Sequence, residues 1–111
     1  MRTLSKERTF VTHIDLEPDV RGPLIDLLNQ QLADTFDLFS QAKHAHWNVK
    51  GAQFFQLHEL FDRLASELAG QADLIAERVT ALGGLALGTA RMTAHRSRLA
   101  EYDLQAIDSL Q

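Results

Sequence analysis

The sequence predicts an all-α protein built on one long antiparallel helical hairpin. Two apolar stripes stepping by three and four, over residues 25–46 and 54–82, carry that expectation. The third observation is the short, glycine-broken turn between them, which leaves the two helices no room to be anything but neighbours.

Residues 1–20 show no helical period and read as a flexible N-terminal arm. The helical domain, residues 21–111, opens at "RGPLIDLL", with Gly22 near the N-cap, Pro23 in the first turn and Asp26 close behind. Ile25, Leu28, Leu32, Phe36 and Phe39 set the period, which runs on through Ala42 to His46. Lys50-Gly51 ends it, a cation near the last carbonyls and then a glycine suited to a left-handed cap. Such a helix has about 27 residues and is roughly 40 Å long.

The second helix starts at Phe54 or Phe55. Leu57, Phe61, Leu64, Leu68, Ile75, Val79 and Leu82 form its stripe, closed by Gly83-Gly84. A different face carries His58, Asp62, Ala65, Ala69, Asp73 and Ala76, where the alanines would let another helix approach closely. After the hairpin, "LALGTARMTAHRSRLAEY" reads as an irregular connection with room for helical turns. "DLQAIDSLQ" then resumes a helical pattern with Leu104, Ile107 and Leu110.

Composition narrows the function. At 111 residues there is one domain, near the size at which oligomerisation often helps. The absence of cysteine excludes disulfides, thiolate metal clusters and thiol catalysis. No apolar run approaches the roughly 20 residues of a membrane span, and "MRTLSKERTFVTH" lacks the apolar middle of a secretory signal. A cytoplasmic, non-membrane protein is expected. The net charge of −4 weighs against a general nucleic-acid binder. Arg2, Lys6 and Arg8 offer a weak DNA contact through the arm, although Asp15, Glu17 and Asp19 follow directly.

Chemistry concentrates around the turn. His46 continues the stripe of the first helix, His58 begins the second, and Asp62 lies one turn further on the same side. Two imidazoles and a carboxylate make half a site for a divalent metal. Asp73 and Glu77, again four apart, supply a second half. From His58, steps of about 100° put Asp62, Asp73 and Glu77 at about 40°, 60° and 100°, on one side of the helix. Yet Asp73 is about 22 Å along the axis from His58. An antiparallel second copy would unite the halves, giving a two-fold dimer with two equal sites about 20 Å apart. Imidazole and carboxylate ligands without thiolate suit iron or manganese, and zinc can occupy them too. Solvated surface charge and core packing remain the plain alternatives. His13, His44 and His95 read as surface residues.

Four stretches, "HWNVKG", "FFQLHELFD", "DLIAER" and "LGGLALGT", resemble in order and spacing the Dps family, the DNA-protection-during-starvation miniferritins of the ferritin-like superfamily. The resemblance spans residues 24 to about 104. It implies a ferritin-like fold and a ferroxidase that oxidises iron(II) with peroxide or dioxygen and stores ferric iron inside a dodecameric shell. It also implies metal ligands at His46, His58, Asp62, Asp73 and Glu77, shared across a subunit two-fold. Trp47 matches a family tryptophan thought to quench radicals, and interface packing accounts for it equally well. Family members continue through most of a third long helix and a fourth, so the chain reads as C-terminally incomplete. Two further functions stay open: a DNA-compacting stress protein, and a helical oligomerisation fragment with a vestigial metal site.

Overall fold

The computed structural model describes residues 9–11 and 16–105. Among the described residues three helices form: α1 (Pro18–Asn48), α2 (Phe54–Ala81) and the short α3 (Ala90–Arg96). The expected hairpin is present, α1 and α2 running antiparallel through one continuous contact. At its open end Ile25 packs with Val79 and Leu82, and nearer the turn Ala42 packs with Ala65 and Leu68.

Helix α1 starts five residues before Pro23, with Pro18 in its first turn and Asp19 beside it. Pro18 has the fixed φ that suits a first helical position, where its missing N–H costs nothing. Pro23 then lies inside the helix and gives up one backbone bond, which the sequence pattern had placed at a helix start. The chain ahead of α1 is not all detached, because the Phe10 N–H donates to the Gly83 carbonyl.

Two features of α2 differ from the sequence pattern. Leu64, assigned to the buried stripe, is 39% exposed, while Ala65, assigned to a free alanine face, is buried against α1. The contact line of α2 runs through Ala65, Leu68, Ala72 and Val79, so close helix approach is partly spent within the chain. Small residues there let the backbones come near, and larger stripe residues turn outward at the rim.

Glycines close the open end. Gly83 has φ +84°, the left-handed conformation that ends a helix at little cost only for glycine. A Cβ on Gly84 would come within 2.7 Å of the Ile25 side chain and 3.0 Å of Val79. The following loop is pinned by Asn29, a fully buried polar residue with 1% exposure. Its Nδ2 donates to the Leu85 carbonyl at 3.1 Å and its Oδ1 accepts from the Leu87 N–H at 3.0 Å. Helix α3 falls inside the stretch read as a connection with room for helical turns, capped by the Thr89 hydroxyl, which accepts from the Met92 N–H. Leu104 lies in a turn, and Ile107 and Leu110 lie outside the described residues. No helix among the described residues is long and apolar enough to cross a membrane.

Candidate metal centre

The turn lays the last residues of α1 against the first of α2, and His46 and His58 meet there. Their rings stack with centroids 3.8 Å apart and planes 23° from parallel, and Phe54 stacks on His58 at 5.1 Å. Each imidazole is held by the backbone of the other residue. His46 Nδ1 lies 2.6 Å from the His58 carbonyl oxygen, and His58 Nδ1 lies 2.8 Å from the His46 carbonyl oxygen. A carbonyl only accepts, so each Nδ1 carries the proton and donates. In the neutral rings Nε2 keeps its lone pair, the form in which imidazole binds metal, with its ring fixed by the second bond. The arrangement has a structural side as well. His46 lies in the last turn of α1, whose carbonyls have no partner within the helix, and His58 satisfies one of them.

Asp62 stands one turn beyond His58. Its Oδ1 is 3.9 Å from His46 Nε2 and 2.9 Å from Lys43 Nζ. The hydrogen bond and the charge of Lys43 hold the Asp62 carboxyl below the usual carboxylate range. Lys43 was not singled out in the sequence, although it sits three residues before His46 and therefore on the same helix face. Its ammonium partners the carboxylate that a metal ion would use.

Asp73 and Glu77 follow on the same unbroken helix, about 16 and 22 Å further along the axis than Asp62. Glu77 hydrogen-bonds with Asp73, and that bond together with the like charge pushes its carboxyl above the usual range. Asp73 also lines a cavity of about 580 Å³ between the helices, walled by Leu32, Phe36, Ala69 and Ala76. Within one chain, then, His46, His58 and Asp62 gather at the turn, while Asp73 and Glu77 pair elsewhere. Among the described residues no three histidine or acidic side chains close into a metal-holding group.

Trp47 is 65% exposed, so packing within this chain does not account for it. His95 is exposed, as expected, and His13 lies outside the described residues. His44 departs from a surface position: it is half-buried, with its ring against Tyr102 at 4.7 Å.

Comparison with known proteins identifies the setting of these residues. The ferritin-like domain family matches residues 25–110. A DNA protection during starvation protein of Agrobacterium fabrum is 41% identical over 95 residues, covering 86% of this chain and 59% of the relative. Among solved structures, DpsC from Streptomyces coelicolor superposes with a TM-score of 0.84 at 36% identity, over 93% of this chain and 60% of that one. An archaeal Dps homologue from Halobacterium salinarum gives the same TM-score at 30% identity, over 97% and 60%. The chain thus spans about six-tenths of the length of these relatives. From the turn motifs to the loop after α2, its sequence and its fold make it a ferritin-like protein of the Dps family.

Proposed function

We propose that the protein binds and oxidises iron(II), and sequesters the ferric product, at sites shared between two copies of the chain. The observation that carries this reading is the reciprocal pair at the turn, two imidazoles with Nδ1 committed to backbone carbonyls and Nε2 left as the donor atom. Asp62 lies within reach of the same place. These are borderline nitrogen and hard oxygen ligands, which suit iron and also admit manganese or zinc.

The second half of each site is Asp73 and Glu77 of another copy. The hydrogen bond with Asp73 and then its like charge raise the Glu77 carboxyl, so this pair favours a nearby cation. A two-fold arrangement supplies one through the metal gathered at the partner's histidines. The oligomer is at least a dimer, with the family's dodecamer as its larger form, and a cytoplasmic setting fits iron(II) supply. Iron is the substrate here. Two iron(II) ions each give one electron to a peroxide, which takes up two protons, breaks its O–O bond and leaves as two waters; dioxygen is the other oxidant class. The chain's own contribution is to hold neutral imidazoles and paired carboxylates in place, and exposed Trp47 beside His46 is positioned to take up stray oxidising equivalents.

A mixed dimer tests the shared site. His58→Ala and Glu77→Ala homodimers should both be poor ferroxidases. In a co-expressed mixed dimer one site inherits both defects and the other neither, so activity should recover to about half that of the parent if sites are independent. No recovery in verified mixed dimers would refute the reading.

A further inference from the structure

The first turn of α2 carries two neighbouring phenylalanines in different surroundings. Phe54 is the first residue of the helix and lies one turn before His58, so the two side chains share a face. Its ring stacks on His58 with centroids 5.1 Å apart and planes 25° from parallel. His46 stacks on the same imidazole at 3.8 Å and 23°. Two rings so close and so nearly parallel have no room on one face of an imidazole, so they cover its two faces. Phe55 lies about 100° further round the helix and is 68% exposed.

Three contacts therefore define the pose of His58. The bond from Nδ1 to the His46 carbonyl fixes one atom of the ring. An imidazole held at one atom still rocks about the N–H···O line, because the outer torsion of a histidine side chain lies in a broad well. Walls on both faces close that freedom. His46 is one wall, held in turn by the His58 carbonyl. Phe54 is the other, and its flat ring blocks a tilt that an aliphatic group of similar bulk would allow. Phe54 is 44% exposed and belongs to neither buried cluster of the hairpin, so core filling does not account for it.

We propose that Phe54 is a positioning residue of the metal centre, walling the second face of His58 so that Nε2 keeps the direction a metal ion needs. The role rests on the iron reading above, yet it has a readout that needs no iron. In the full chain without metal, nitrogen NMR of the ring at about pH 8, above the ordinary imidazole range, reports which nitrogen carries the proton. The parent should show His58 as a single Nδ1–H form. Phe54→Ala, and Phe54→Leu, which keeps apolar bulk and with it the fold, should both show the second tautomer. Titration with cobalt(II) alone should show affinity weakened about three- to tenfold in both variants. Phe54→Tyr should retain the parent values of both readouts, and Phe55→Ala should leave the ring signals unchanged. Parent-like ring signals and cobalt affinity in Phe54→Leu would overturn the proposal, since bulk alone would then suffice. Ring signals that respond as expected in a protein that neither binds cobalt nor oxidises iron(II) would refute the iron reading and leave the positioning of His58 standing.

Discussion

The two ends of the hairpin are made of the same helices and are used differently. At the open end the polar groups that pin the loop after α2 are paired within the chain. Asn29 bridges to Leu85 and Leu87, and Gly84 fits against Ile25 with no space for a Cβ. At the turn end two aromatic side chains, Trp47 at 65% and Phe55 at 68%, stay exposed beside a reciprocally bonded histidine pair that leaves a nitrogen lone pair unused on each ring. Tight packing marks the end that holds the fold. Exposed aromatics around preset nitrogen donors mark the end proposed for chemistry.

Substitutions at each end should separate these roles. The largest effect on folding is expected at the open end: Asn29→Ala takes the partner from the buried Leu87 N–H and from the Leu85 carbonyl, and should cost about 2–4 kcal/mol. Chemical denaturation would measure it; a loss below about 1 kcal/mol would break the contrast. At the turn, His46→Ala removes one hydrogen bond and the ring stacked on His58, and should cost less than Asn29→Ala, yet should weaken metal binding at least tenfold. Calorimetry with a divalent metal and thermal unfolding of the same sample would read both quantities.

Lys43→Met sharpens the contrast further by removing the cation from Asp62 while keeping the stem's bulk. Metal affinity should rise severalfold, because the carboxylate no longer has to exchange partners. The acid side carries a signature. Asp62 is depressed in the folded protein, so its ion pair stabilises above the ordinary carboxylate range and is lost as pH falls through the lowered value. Any stability gap between parent and Lys43→Met should therefore close in acid. The smallest effect is at the other half-site. Glu77 is raised, so its penalty is present at neutral pH and relieved as pH falls through the raised value. Asp73→Asn removes the like charge, and carboxyl NMR titration should show Glu77 moving down toward its usual range.

The hairpin was legible in the sequence because its period is set by large apolar residues, and the turn because Gly51 interrupts it. Leu64 and Ala65 exchanged their expected roles, since periodicity fixes a face only to within a residue and the closest helix approach favours the smaller side chain. Asn29 was invisible: its burial depends on backbone groups 56 and 58 residues away, which no local pattern records. Pro23 looked like a helix start because the earlier Pro18 carried no apolar stripe to announce it. At the candidate site the residue types and spacing were readable, whereas no local pattern marks Lys43. Its significance lies in a 2.9 Å contact between two helices.

The crossed bonds at the turn have a bearing on how such a site changes over generations. Each imidazole is hydrogen-bonded by the main chain at the other position, in addition to stacking on the other ring. A substitution at residue 46 therefore removes one donor and leaves intact the carbonyl that aims His58, and the converse holds at residue 58. The hydrogen bond that aims one ring does not depend on the side chain at the other position, so a substitution at either one keeps that bond in place at its neighbour.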